Sequence, residues 1–141
     1  MRIARHSDIP SIVELAKRFN EDAGKVIPFE SVCFSVTVAN YISSENCCAF
    51  VTENDSKVVG CLLGACSPYP AASLIQANEL IWYCKKQNRG RGSIKLFNAY
   101  TNWAVSKGAS LIYAGAYDRK ASSFYERKGF SMVDENWVKV I

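Results

Sequence analysis

The stretch Glu79-Leu80-Ile81-Trp82-Tyr83-Cys84-Lys85-Lys86-Gln87-Asn88-Arg89-Gly90-Arg91-Gly92-Ser93-Ile94-Lys95-Leu96-Phe97 decides how this chain is read. Its first six residues form an extended, mostly apolar segment. A basic glycine turn follows, then a run with apolar residues at helical spacing through Trp103-Ala104-Val105, stopping at Lys107-Gly108. Strand, glycine-rich loop and helix in that order bring backbone N–H groups and a positive helix end to one point, which suits a phosphate or diphosphate. Gly90 and Gly92 let the backbone approach a ligand closely and reach positive φ. Arg89, Arg91 and Lys95 add charge that pairs with phosphate oxygens. Two glycines so spaced also mark a plain tight turn. A P-loop does not fit, because Ser93-Ile94 follows Gly92 where Lys and then Ser or Thr are needed. A dinucleotide fingerprint does not fit either, because its third glycine is missing.

Working outward, a length of 141 residues predicts one domain, 1–141, with a proper core. A hydrophobic content of 49% without low-complexity tracts excludes a disordered chain. No apolar run reaches the length of a membrane span, and Met1-Arg2-Ile3-Ala4-Arg5 does not lead into a signal-like core, so the reading is cytoplasmic with no membrane partner. The net charge of +4 sits largely in Lys85, Lys86, Arg89, Arg91 and Lys95. A single basic cluster without interleaved aromatics serves one polyanionic ligand better than nucleic acid. The six cysteines lie in apolar segments with no Cys-x-x-Cys pair, and the only histidine, His6, is remote in sequence. Free thiols and no metal are expected.

Periodicity gives the order of elements. Met1–Arg5 reads as a strand. Ser7 or Asp8 caps a helix with Pro10 in its first turn, and Ile12, Leu15, Ala16 and Phe19 share a face as far as Gly24. A second helix is expected from Pro28 to about Ser43, despite its β-branched residues. Cys48–Val51 and Lys57–Cys66 form a hairpin around Glu53-Asn54-Asp55-Ser56, and Ser67–Pro70 is a loop. After the strand Leu74–Cys84 and the long helix come a buried strand, Ser110–Gly115, and a helix, Asp118–Lys128, closed by Gly129. Phe130–Val133 and Trp137–Val140 are expected as final strands, in a hairpin around Asn136. The result is an α/β domain whose mixed, mainly antiparallel central sheet is flanked by helices.

That order of motifs resembles the GNAT superfamily of acyl-CoA-dependent N-acyltransferases over nearly the whole chain. Ile3–Ile12 resembles the first strand and helix start, and Lys57–Gly64 the third strand. Gln87–Gly92 is similar to the pyrophosphate loop, Gln/Arg-x-x-Gly-x-Gly/Ala. Ala121-Ser122-Ser123-Phe124-Tyr125-Glu126-Arg127-Lys128-Gly129-Phe130 is similar to the Ala-x-x-Phe-Tyr-x-x-x-Gly-Phe signature. The loop fits in two registers, through Gln87, Gly90 and Gly92 or through Arg89 and Gly92.

The resemblance implies acetyl-CoA as co-substrate, no metal, and transfer of the acetyl group to a primary amine of a small molecule or peptide by direct attack in a ternary complex. It implies that Gln87, Asn88, Arg89, Gly90, Arg91, Gly92 and Ser93 hold the diphosphate. Trp82, Tyr83 and Cys84 would offer backbone groups to the pantetheine arm, with the Cys84 N–H a candidate oxyanion donor. Phe124 and Tyr125 belong to the cofactor side of the signature, with Tyr125 as general acid to the leaving thiolate. Asp118 stands where the family often has an Asn and also suits a helix cap. Glu79 is the candidate base; a strand bulge could turn Asn78 inward instead, and His6 has a suitable ordinary pKa. A non-catalytic CoA-binding module, acting as sensor or interaction protein, is the alternative, and a homodimer stays open. The acceptor is expected against Asn20–Phe29 and Ser67–Leu74.

Overall fold

The computed structural model describes residues 1–24, 26–116, 118–134 and 136–141. Five strands form one sheet in the order of the sequence: β1 (Arg2–Ile3), β2 (Cys47–Asn54), β3 (Lys57–Pro68), β4 (Ile75–Cys84) and β5 (Ala109–Tyr113). The first four run antiparallel, and β5 lies parallel to β4. The mixed, mainly antiparallel sheet expected from the sequence is present.

Alternation along the strands builds two cores. Cys61, Leu63, Ile81 and Tyr83 face α1 (Ile9–Asp22) and α2 (Ser31–Ser43), against Ile12, Leu15, Ala16 and Val38. Leu62, Ala77 and Cys84 face the other way, toward α3 (Arg91–Ser106) and α4 (Arg119–Arg127), against Leu96, Phe97, Tyr100, Ala104 and Tyr125. Close packing on this second face requires Gly64, where a Cβ would lie 2.5 Å from the Tyr100 ring. The Tyr100 hydroxyl donates to the Tyr113 carbonyl at 3.0 Å and ties α3 to β5.

The hairpin forms, but its turn is shorter than the expected Glu53–Ser56: Glu53 and Asn54 pair with Val58 and Lys57, and Asp55 and Ser56 alone take positive φ, 49° and 60°, the pattern of a two-residue turn matched to strand twist. Asp8 is buried and caps the 3-10 turn at His6–Asp8, accepting the Arg5 N–H at 2.7 Å. It also receives both terminal nitrogens of Arg2, at 2.7 and 2.9 Å, and thereby fixes β1 to the start of α1.

Several boundaries differ from expectation. α2 begins at Ser31, because Glu30 is still extended (φ −116°, ψ 117°). Ser67 and Pro68 belong to β3 rather than to a loop; Pro68 is its last residue, where the missing N–H matters least. β5 is a half-buried edge strand that ends at Tyr113. The expected final strands do not form among the described residues: Phe130 packs on the core, while Met132, Val133, Trp137 and Val138 are exposed. Their strand propensity finds no neighbouring ladder here, and propensity without a partner does not make a strand.

Candidate functional site

β4 leaves β5 at Asn78, the last residue in register with Tyr113. Beyond it, Glu79–Cys84 pairs with β3 alone, which leaves a gap along the edge of β4 where β5 no longer runs beside it. A bulge shapes this stretch. Leu63 opposes Ile81 and the next residue, Gly64, opposes Glu79, so Leu80 is the extra residue and is exposed. Its insertion reverses the alternation, so that Ala77 and Glu79 before it and Trp82 and Cys84 after it all face α3 and α4. Asn78 is exposed, so of the two it is Glu79 whose side chain faces inward.

The Lys85 N–H donates to the Val59 carbonyl at 2.9 Å. In an antiparallel ladder hydrogen-bonded pairs alternate with non-bonded ones. Cys84 opposite Gly60 and Trp82 opposite Leu62 are therefore non-bonded pairs, with their backbone groups directed into the gap. Tyr83, opposite Cys61, spends its backbone on β3. Of the three residues expected to offer backbone groups, two are turned toward the gap. The Cys84 carbonyl accepts from Arg89 Nε at 3.2 Å.

At the end of β4, Lys86–Asn88 makes a 3-10 turn and Gly90 opens α3 with φ +123° and ψ −128°, a conformation that needs glycine. The Asn88 and Arg89 N–H groups are bonded within the turn, to Lys85 and Lys86 carbonyls at 2.8 and 3.4 Å. No side chain caps α3, and Ile94 supplies the first intrahelical bond, to Gly90 at 3.0 Å. The first-turn N–H groups of Arg91, Gly92 and Ser93 carry no bond to an acceptor among the described residues. Gly92 lies against Thr52, whose Oγ1 would sit 3.1 Å from an added Cβ.

Tyr125 and Glu79 meet where the strands part. The Tyr125 hydroxyl donates to Glu79 Oε2 at 3.3 Å and to the Gly115 carbonyl at 3.1 Å. Tyr125 is buried, and its ring packs on Trp82, Phe97, Phe124 and Phe130 at centroid distances of 5.4–5.9 Å. Glu79 keeps some accessible surface, but its carboxyl lies deep enough that burial pushes its pKa up to about 8; the Tyr125 hydrogen bond offsets only part of that. Trp82 Nε1 is buried without a hydrogen-bond partner among the described residues, an N–H suited to an incoming acceptor.

The remaining expected residues divide. Asp118 caps α4, accepting the Ala121 N–H at 2.8 Å. Phe124 is wedged between Trp82 and Phe97. Gln87 lies in the turn and lines a cleft of about 210 Å³ with Asp22, Tyr83 and Lys86. His6 is placed with Ser43 at 3.3 Å, away from the pair. Among the described residues no cluster of metal-ligating side chains forms, and no helix is long and apolar enough to cross a membrane.

Sequence reading missed Asp22. Its Oδ2 accepts from the Tyr83 hydroxyl at 2.9 Å, its Oδ1 lies 3.1 Å from Lys86 Nζ, and Arg89 Nη2 is 3.8 Å away. The signal was present: Glu21-Asp22 ends α1, where the helix dipole favours cations and disfavours acids.

No family model matches the chain, and no curated protein sequence does. Solved structures match in fold. A predicted acetyltransferase with acetyl-CoA from Clostridium acetobutylicum is similar with TM-score 0.82 and 19% identity, covering 99% of this chain and 94% of the other. A transcriptional regulator from Bacillus halodurans is similar at 0.80 and 21%, covering 99% and 97%. An acetyltransferase from Trypanosoma brucei is similar at 0.77 and 17%, covering 99% and 97%.

Proposed function

We propose that this chain, which has the fold of the GNAT acetyltransferases, is an acyl-CoA-dependent N-acetyltransferase acting on a primary amine by direct attack in a ternary complex. The observation that carries the reading is the Glu79–Tyr125 pair, 3.3 Å apart where β4 leaves β5, with an uncapped helix N-terminus at the far end of the same strand. The structure of the Clostridium acetyltransferase with acetyl-CoA supports the choice of donor. The groups available here fit it: free N–H groups at Arg91, Gly92 and Ser93, the Trp82 backbone and the Cys84 N–H facing the gap, and the unpartnered Trp82 indole N–H.

The donor supplies an acetyl thioester, and the protein supplies proton handling and alignment. Glu79 in its ionised form takes the proton of the attacking amine as the C–N bond forms; with a pKa near 8, that form becomes the majority only above about pH 8. Tyr125 gives its hydroxyl proton to the departing thiolate as the C–S bond breaks. The hydrogen bond between the two lets the proton collected by Glu79 restore the phenol, so each turnover leaves both residues as they began. The Cys84 N–H faces the gap as a donor for the developing oxyanion.

The test is to offer purified protein acetyl-CoA with a panel of primary amines, small and peptidic, and follow free thiol release. Amine-dependent release supports the enzyme reading. Calorimetric CoA binding with no amine turned over, across the panel, would replace it with the binding module.

A further inference from the structure

Two of the cations at the phosphate loop, Lys86 and Arg89, already share a partner on another element. Lys86 Nζ is 3.1 Å and Arg89 Nη2 3.8 Å from the Asp22 carboxylate at the end of α1. The Arg89 guanidinium also lies over the Tyr83 ring at 5.7 Å, and its Nε bonds the Cys84 carbonyl. Tyr83 holds Asp22 from the other side through a 2.9 Å hydrogen bond. These contacts hold the Asp22 carboxyl below the ordinary carboxylate range, Tyr83 first and Lys86 next. Asp22 gains nothing from its own helix. It is the last residue of α1, no basic residue stands in that last turn, and an anion there opposes the dipole.

We infer that Asp22 is a resident counter-anion that sets donor affinity and specificity by competing with the diphosphate for Lys86 and Arg89. The inference rests on reading the Gly90–Ser93 loop as a diphosphate site. A ligand profits from these two cations only if it outbids a carboxylate already in place. A diphosphate, with more charge and more acceptor oxygens, does so; an acyl carrier without phosphate gains nothing from them. Asp22 thus imposes a threshold on the anion that the loop accepts. Displaced from Lys86 and Arg89, it stays anchored by Tyr83.

Asp22→Asn keeps an acceptor for the Tyr83 hydroxyl and removes the competing charge. Wild-type protein and the variant are titrated with CoA calorimetrically, with melting temperatures as a check on folding. Exposed ion pairs are individually weak, so the variant is expected to bind CoA about 3- to 10-fold more tightly. The KM for acetylpantetheine, which lacks the diphosphate, is expected to stay unchanged. Glu21→Gln removes a neighbouring charge from the same cleft and controls for long-range field; its gain should be less than half that of Asp22→Asn. In a Lys86→Met background the Asp22→Asn gain should shrink at least twofold. Equal or weaker CoA binding by Asp22→Asn overturns the inference. So does a gain matched by Glu21→Gln, or one undiminished without Lys86. Wild-type protein that binds no CoA overturns the diphosphate reading itself, a separate outcome read in the first titration.

Discussion

Burial of the Glu79 carboxyl makes stability depend on pH in a way that one substitution exposes. In the unfolded chain this carboxyl ionises near 4.5, while in the folded protein it holds its proton to about 8. Between those values the native state binds one proton more than the unfolded state, so stability falls as pH rises. The sign follows from a raised folded pKa: the contribution is complete below 4.5, is lost through the interval, and is gone above about 8. At 1.36 kcal/mol per pH unit the interval amounts to about 4–5 kcal/mol, with about 2 kcal/mol already lost by pH 6. Glu79→Gln keeps an acceptor for Tyr125 and cannot ionise. Urea unfolding of both proteins at pH 4.5, 6, 7.5 and 9 should give similar stability at the lowest pH. At the highest, the variant should lead by several kcal/mol, a midpoint shift of about 2 M for an m-value near 2 kcal/mol/M. Asp8 and Asp22, held low by their partners, cancel in the difference. A variant whose advantage is the same at every pH would refute the burial argument, whatever the catalytic role of Glu79.

Tyr125→Phe keeps the ring packed on Trp82 and Phe97 and removes the hydroxyl; kcat should fall about 10²–10⁴-fold with KM for acetyl-CoA little changed. Wild-type kcat under chemistry-limited conditions would return that role to water. Gly64→Ala drives a methyl into the Tyr100 ring and should cost about 1–3 kcal/mol in chemical denaturation, whereas an unchanged midpoint would mean that α3 gives way freely. Six thiols should react with Ellman's reagent in denaturant, and Cys33, the one exposed cysteine, should lead in native protein. Rapid native labelling of Cys48 or Cys61, both buried with their pKa values pushed up, would contradict the packing.

Local signals were legible where local chemistry decides the outcome. Glu53–Ser56 lies between two runs of alternating residues and announces a turn, which strand pairing then narrows to Asp55-Ser56. Gly90 before a helical run, and Asp118 three residues before Ala121, likewise announce a loop and a cap. The Glu79–Tyr125 meeting was legible only through resemblance, since 46 residues separate the two and no periodicity carries that information. The bulge at Leu80 was foreseeable as a possibility but not as a position, because it is defined by the register of β4 against β3, which the sequence of β4 does not carry. Asp22 went unread because its partners come from β4 and the loop after it. The final strands failed for the complementary reason: Trp137-Val138-Lys139-Val140 has the right residues, but a strand is a property of two segments.

The bulge also sets where this half of the molecule is sensitive to chain length. Removing Leu80 would take out the residue of this stretch that has no partner on β3, setting Ile81 next to Glu79 as Leu63 is next to Gly64. Glu79 would stay beneath Tyr125, and Trp82, Tyr83 and Cys84 would keep the faces they have, so the cost would fall on the local bend of the strand rather than on which side chains face α3. A residue added between Ile81 and Cys84 would act differently: each side chain beyond it would change face, and the glycine loop would leave from the other side of the strand. The spacing from Ile81 to the glycine loop thus matters as much as the residue types, while Leu80 is the place where β4 carries a residue to spare.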